Sequence, residues 1–249
     1  MKETLWKLRH FKASLSPRKN WLLWQKDLLA WKRFWDSYHK YKEISLPNQK
    51  AQVDYLYPCL GDDTAETIIE PVYFYQNTWA FEKIVKNLPS SHIDVGSHHF
   101  YVALLSKILP VTMVDIRPLS LPLDTLQFKQ GSILEMPYED KTIESLSSLC
   151  VIEHIGLGRY GDPLDPFGTE KSVEELKRVI KPGGNLYISV PLDDENRTYF
   201  NAHRAFSEVY ILKMFHPFKL VDKKYIYGND FMDSIQTGFG TGCYHFQRL

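Results

Sequence analysis

The sequence predicts an α/β protein built on a doubly wound, mostly parallel sheet, and three observations carry that prediction. From His92 onward, short apolar runs alternate with helix-length amphipathic stretches, the pattern of strands joined by crossover helices. The first run, His92–Val95, leads into Asp94-Val95-Gly96-Ser97, an acid followed by a glycine turn. The second, Val111–Asp115, ends in another acid, 19 positions after Gly96. Strand, glycine turn, helix, strand, acid is the order that holds a nucleoside-type cofactor at the carboxyl ends of parallel strands. The expected architecture is therefore Rossmann-like, with seven strands in the order 3-2-1-4-5-7-6 and a helical N-terminal extension.

Each element has a local reason. Residues 20–43 read as an amphipathic helix capped by Asn20, with Trp21, Trp24, Leu28, Trp31 and Trp35 spaced by threes and fours along one side. Leu46–Gln49 and Gly61–Thr64 read as turns, and the second can start a short helix. Residues 71–88 read as a helix with Pro71 tolerated in its first turn. The expected division is a helical extension over 1–88 and a sheet domain over 89–249. Within the latter, strand 1 is His92–Val95, followed by a helix that Pro110 stops, and strand 2 is Val111–Asp115. Pro118 and Pro122 forbid a long helix in the next crossover. Strand 3 is Leu126–Lys129 and strand 4 is Ser145–Val151. A helix over Thr169–Ile180 precedes the turn Pro182-Gly183-Gly184, and strand 5 is Asn185–Val190. A helix near Ser207–Phe215 leads to strand 6, Lys219–Tyr227, and Gly242–Arg248 is strand 7, antiparallel to it.

The 249 residues are 44% hydrophobic and 24% charged, ordinary for one soluble core. Three widely spaced cysteines argue for a reducing compartment rather than a disulfide framework. No secretory signal and no spanning helix are expected, which points to the cytoplasm. Net charge is zero, yet residues 1–50 hold twelve Lys or Arg against four acids, and five of the six Trp lie between residues 6 and 35. This is a basic, Trp-rich arm on an acidic body. It suits packing on the main domain or on a second subunit through residues 1–45, or attachment to an anionic membrane surface. Basic charge with interleaved aromatics also suits nucleic acid, but the protein as a whole is not basic and no such partner is expected.

The site residues follow from the layout. Gly96 lets the backbone turn and a ligand approach without a Cβ in the way; Asp94 and Ser97 flank it. Asp115, with Ile116 next to it, offers a carboxylate to a ribose diol. Ser132 and Ile133, after strand 3, can flank a base ring, and Cys150, at the end of strand 4, can lie beneath the remainder of the cofactor. The segments DVGSHHFYVALLS, VDIRPL, SLCVIEHIGLGRYGDPLDPFGTEK and KRVIKPGGNLYISVP resemble the class I S-adenosylmethionine-dependent methyltransferase superfamily over roughly residues 88–249. They further resemble an uncharacterised, DUF268-like methyltransferase family. The resemblance implies S-adenosylmethionine as cofactor, methyl transfer as activity, and a small-molecule or glycan acceptor, since that family includes bacterial members associated with surface-glycan genes. The chain departs from the superfamily's three-glycine turn: only Gly96 remains, with His98 and His99 in the later glycine region, and Ser132 stands where an adenine-contacting Asp is usual. These departures leave open a second reading, a methyltransferase fold that binds partners without catalysis.

Methyl transfer to a hydroxyl benefits from a general base. Glu153 and His154, after strand 4, and His203, after strand 5, are the candidates, and each can instead be structural. Arg159, Tyr160 and Asp162, in the glycine-rich loop 156–168, and Arg204 can hold a hydroxylated or anionic acceptor; the competing reading is a rigid loop stabilised by its own contacts. Nothing in the spacing of His98, His99, His154 and Asp162 specifies a metal site, and the absence of G-x-S-x-G disfavours a Ser-His-Asp hydrolase.

Overall fold

The computed structural model of the chain describes residues 21–249, with side chains from residue 25 onward. The chain divides into two compact units between Ile68 and Ile69. The first carries helix α1, Trp21–Ile44. Its expected cap at Asn20 and the side chains of Trp21 and Trp24 lie outside the described residues. Further along, Trp31, Phe34, Trp35 and Tyr38 meet edge to face in succession, with ring centroids 5.8, 5.3 and 5.6 Å apart, a favoured quadrupolar arrangement. The following segment folds back on the helix: Asp63 lies 3.0 Å from Arg33 Nε, and Arg33 also donates to the Leu60 carbonyl. A turn stands at Leu46–Gln49. The segment Gly61–Thr64 bends without starting a helix; the one helical turn here is a 3₁₀ turn at Val53–Tyr55. No helix among the described residues is long and apolar enough to cross a membrane.

The second unit opens with α2, Pro71–Asn87, capped by the Glu70 carboxylate accepting from the Tyr73 N–H at 2.6 Å. The division expected at residue 88 therefore falls at 68/69. The apolar face of α2 explains this: Trp79, Ala80 and Ile84 belong to the core of the sheet.

The strands are β1 (His92–Val95), β2 (Val111–Asp115), β3 (Leu126–Gln130), β4 (Ile143–Leu149), β5 (Ile180–Leu192), β6 (Arg197–Tyr199), β7 (His203–Ala205), β8 (Lys219–Tyr227), β9 (Asp230–Met232) and β10 (Gly240–Gln247). The helices between them are α3 (His99–Leu105), α4 (Gly168–Val179) and α5 (Glu208–Met214). The main sheet has eight strands in the order β3-β2-β1-β4-β5-β10-β8-β9. The first five are parallel, and β10 runs antiparallel between β5 and β8. The expected seven-stranded order is thus present, extended by the short edge strand β9. A separate hairpin, β6–β7, was not expected.

Both faces of the sheet are covered, as a parallel sheet requires. Along β5 the side chains alternate: Leu186, Ile188 and Val190 join α4 and α5 on one face, and Tyr187 joins α2 and α3 on the other. The Pro182-Gly183-Gly184 turn is a bulge inside β5 rather than its boundary. Pairing with β4 jumps from Ile143↔Ile180 to Ser145↔Asn185, while Gly183 and Gly184 exchange backbone hydrogen bonds with Arg248 at 2.9 Å. The prolines after β2 leave that crossover without a helix, as expected.

Sheet order reverses between β1 and β4, where β2 leaves to one side and β5 to the other. The carboxyl ends of β1, β2 and β4 surround that crevice, the place where open α/β sheets bind ligands.

Candidate functional site

The turn after β1 is fixed from below by a buried polar chain. Asp94 is fully buried; one of its oxygens accepts from the Ser97 N–H at 3.0 Å and the other from Ser147 Oγ at 2.5 Å. Ser147 also meets His92 Nε2 at 2.9 Å and receives the Tyr101 hydroxyl, while Ser97 Oγ accepts from the Leu149 N–H. Burial pushes the Asp94 carboxyl up to about 6 and the His92 ring down to about 3. Asp94 lines neither of the hollows described below, so the structure assigns it to bracing the glycine turn, contrary to the expectation of ligand contact. Ser97 is nearly buried and its hydroxyl already holds β4.

Gly96 emerges from this brace at φ +67°, a conformation open to glycine. A Cβ built there would lie 3.2 Å from Val151 Cγ1 and 3.9 Å from Asp115 Oδ2. The glycine turn and the second acid therefore face each other across a single hollow of about 400 Å³, within the range of small-molecule sites. Asp115 Oδ1 accepts from the Arg117 N–H at 2.8 Å; among the described residues Oδ2 receives no hydrogen bond. Ile116, Ile133, Leu134 and Ile155 supply apolar walls. Ser132 Oγ accepts from the Leu134 N–H at 3.1 Å, which leaves its own proton free to donate. The rim holding Ile133 is tied to α4, since Glu175 accepts from the Met136 N–H and Arg178 donates to the Tyr138 carbonyl.

Neither His98 nor Phe100 enters this hollow, although they occupy the region where the superfamily has glycines. Phe100 points outward at 67% exposure. His98 stacks near Tyr73 and His99, at ring distances of 5.2 and 4.4 Å.

Cys150 follows β4 at φ +53°, an uncommon conformation for a side chain of any size. It was expected to lie beneath a cofactor, but the thiol turns away. Sγ lies 3.0 Å from Gln76 Oε1 on α2, an oxygen that also accepts from Ser189 Oγ at 2.7 Å. Burial raises the thiol well above its ordinary range. What Cys150 contributes to the hollow is its bent backbone. Gln76, a buried amide on a helix before the sheet, carried no signal in the sequence.

A second hollow, of about 360 Å³, adjoins the first and shares Gly96, Arg117, Cys150, His154 and Tyr160 with it. Its walls include Tyr73, His98, Glu153, Arg159, His203 and Thr241. His154 stands on the ridge between the hollows. Its Nδ1 lies 2.7 Å from the Ala202 carbonyl, which places the proton on Nδ1 and leaves Nε2 as the free base atom. Burial pulls this ring down to about 4, so it is neutral at neutral pH. Arg159 donates to the same carbonyl at 2.9 Å.

Glu153 is 1% exposed, and burial pushes its carboxyl up to about 8. Its Oε2 has no partner among the described residues. A carboxyl held above its unfolded value near 4.5 adds stability that is complete below that pH and is lost as pH rises through 8. The expected result is that the wild type loses on the order of 1 kcal/mol of stability relative to a Glu153→Gln variant between pH 6.5 and 8. Chemical denaturation at several pH values measures it; parallel curves for the two proteins would refute the assignment.

Of the expected acceptor ligands, Arg204 serves the loop instead, and Asp162 braces the loop while lining the first hollow. Asp162 accepts from the Gly156 N–H at 2.6 Å and the Tyr160 N–H at 3.2 Å. Burial works against its charge, but these backbone donors outweigh it and keep its pKa below the usual value. Arg204 was expected at the acceptor pocket, yet it is 8% exposed and lines neither hollow. Its guanidinium is consumed by the carbonyls of Ile155, Asp165 and Pro166 and by Thr169 Oγ1. The glycine-rich segment is thus the self-braced loop that was the competing expectation, with Arg159, Tyr160 and Asp162 on the walls of the hollows. Arg117 and Tyr73, on the walls of the second hollow, were not anticipated.

The family profile described as "Caenorhabditis protein of unknown function, DUF268" matches residues 133–236. No curated protein sequence matches significantly. Among solved structures, the N-methyltransferase NodS from Bradyrhizobium japonicum WM9, in complex with S-adenosylhomocysteine, is 11% identical with a TM-score of 0.52, over 77% of this chain and 91% of that one. The 1,6-didemethyltoxoflavin-N1-methyltransferase of Burkholderia thailandensis, bound to its namesake and S-adenosylhomocysteine, is 14% identical with a TM-score of 0.51, over 74% and 93%. The cyclase SpnF is 11% identical with a TM-score of 0.50, over 69% and 81%. With the strand order, the covered faces and the hollow at the reversal point, these likenesses establish that the second unit has the fold of the class I S-adenosylmethionine-dependent methyltransferases.

Proposed function

We propose that this protein is an S-adenosylmethionine-dependent methyltransferase acting on a hydroxyl of a sugar or glycan intermediate. Fold alone does not argue this, since a cyclase shares it. The observation that carries it is the convergence of Gly96 and the unpartnered Asp115 Oδ2 on one apolar-walled hollow. The residues fit an adenosyl group. Asp115 Oδ2 would accept from the ribose hydroxyls, Ile116 and Ile133 would bracket the base, Ser132 would donate to it, and Gly96 keeps clear the volume that a side chain would fill. When bound, the cofactor supplies an electrophilic methyl group on a sulfonium.

The protein's part is to position the acceptor and move its proton. His154 Nε2 is the proton-accepting atom of this reading, aimed by the Ala202 carbonyl at its other nitrogen. Glu153, whose Oε1 lies 3.7 Å from His154 Nε2, and His203, which lines the same hollow, would orient the acceptor hydroxyl. The glycan acceptor rests on the family resemblance. Side chains of His98 or Phe100 in the adenosyl volume would favour the partner-binding reading without catalysis, and both residues leave that volume open.

Titration calorimetry with S-adenosylhomocysteine tests the proposal. We expect one site per chain with micromolar affinity, about −8 kcal/mol. No heat, and no change in melting temperature at millimolar ligand, would overturn it.

A further inference from the structure

The second hollow has a chemical signature that the methyltransferase reading does not by itself require. Two guanidinium groups attend one ring there: Arg117 lies 4.6 Å and Arg159 5.2 Å from the centroid of Tyr160. Both side chains are exposed and line the hollow. Two like charges gathered on one ring repel, and little neutralises them. The nearest ion-pair partner of Arg117 is Asp115, at 3.6 Å, and Arg159 has no carboxylate within ion-pair distance among the described residues. Arg159 spends one hydrogen bond on the Ala202 carbonyl, so most of its planar fork remains available for bidentate contact with a carboxylate or phosphate.

A second, independent observation lies on the same walls. Glu153 Oε2, His98 Nδ1 and His203 Nε2 have no hydrogen-bond partner among the described residues; the atoms are buried, and their residues line this hollow. Glu153 is 1% exposed. Buried polar atoms are normally paired, so orphans grouped in one cavity mark where a ligand's polar groups belong. Charge without an anion, next to polar atoms without partners, describes a small molecule bearing both an acidic group and hydroxyls.

We propose that the second hollow binds a hydroxylated anion, a sugar acid or sugar phosphate, with its carboxylate or phosphate at Arg117 and Arg159 and its hydroxyls toward Glu153, His98 and His203. This deepens the methyltransferase reading, on which it rests for the claim that the anion is the methyl acceptor. The cofactor's own carboxylate has the same chemistry as a sugar acid, and the experiment separates the two sources.

Calorimetry would use the full chain with glucuronate, glucose 1-phosphate, inorganic phosphate and neutral glucose, each with and without saturating S-adenosylhomocysteine. S-adenosylhomocysteine and 5′-methylthioadenosine, which lacks the amino-acid tail, would be titrated separately. The expected result is binding of either sugar anion at least about tenfold tighter than glucose, lost by about tenfold in Arg117→Ala and in Arg159→Ala, with affinity for both nucleosides unchanged in Arg159→Ala and shifted equally for both in Arg117→Ala, whose side chain also meets Asp115. Because Arg159 also holds the Ala202 carbonyl, Arg159→Lys serves as a second variant that keeps the charge but loses the fork, and melting temperatures report whether each variant folds. Three results overturn the proposal: glucose binding as tightly as the anions, no anion binding at millimolar concentration, or either Arg variant weakening S-adenosylhomocysteine but not methylthioadenosine. The last would assign the charge to the cofactor's tail. Failure of S-adenosylhomocysteine to bind would instead remove the methyltransferase reading, and the titrations without it would still decide the anion site.

Discussion

Arg204→Ala is expected to destabilise the fold by about 3 kcal/mol. The side chain is buried, and its guanidinium reaches the Ile155 carbonyl at 2.6 Å, Thr169 Oγ1 at 3.0 Å, the Asp165 carbonyl at 3.1 Å and the Pro166 carbonyl at 3.4 Å. Alanine would leave these acceptors facing a cavity. They hold the two ends of the glycine-rich loop together where it crosses itself. A Cβ at Gly156, which also has φ +83°, would lie 2.1 Å from the Asp165 carbonyl oxygen. Loosening that crossing frees the Arg159 and Tyr160 wall of the second hollow, so loss of stability and loss of ligand affinity should appear together. Arg204→Lys keeps the charge but has too few donors in the wrong geometry, and it should fall between. Denaturant unfolding checks both variants; an unchanged midpoint for the alanine variant would show that the loop stands without its brace.

How much of this was legible in the sequence depends on the range of the interactions involved. β1 and β2 stand where their apolar runs and flanking breakers placed them, because burial on both faces leaves a local pattern; β8 also has the expected bounds, although most of it is only half-buried or exposed. β9 and the β6–β7 hairpin left none. All three residues of Arg197–Tyr199 are exposed, and three-residue strands obey their partner, not their composition. Pro182-Gly183-Gly184 does turn the chain, but its pairing with Arg248, 64 or more positions away, folds the turn into a strand. The candidate site divides in the same way. Gly96 and Asp115 were legible because both end strands whose relative positions the topology fixes. The bracing of Asp94 by Ser147 and Ser97, and the diversion of Arg204 into the loop, depend on register and side-chain direction that spacing does not encode. Arg117 and Tyr73 come from a proline-rich crossover and from a helix expected in the N-terminal extension. Only the assembled hollow brings them beside Arg159.

Asp115→Ala is expected to weaken S-adenosylhomocysteine binding by about a hundredfold while leaving the fold intact. A ribose diol offers two donors to one ionised carboxylate, and hydrogen bonds to a charged group contribute about 1.5–3 kcal/mol each. Losing both removes about 3 kcal/mol or more, and at about 1.4 kcal/mol per factor of ten that is a hundredfold at least. The variant should still fold, because Asp115 ends β2 with its side chain 12% exposed and holds only Arg117, through its N–H and a 3.6 Å ion pair. Asp115→Asn retains an acceptor for that N–H and for one hydroxyl but loses the charge, and it should weaken binding by about tenfold. The complementary change is Gly96→Ala. Its methyl would stand in the space between Val151 and Asp115, at a φ that disfavours any side chain. Affinity should therefore fall even though the carboxylate is untouched. Calorimetry on the three variants separates the causes. If the adenosyl group lies where Gly96 and Asp115 converge, the glycine and acid variants both lose affinity. If it lies elsewhere on the sheet edge, Asp115→Ala binds as the wild type does and the proposed function falls with it.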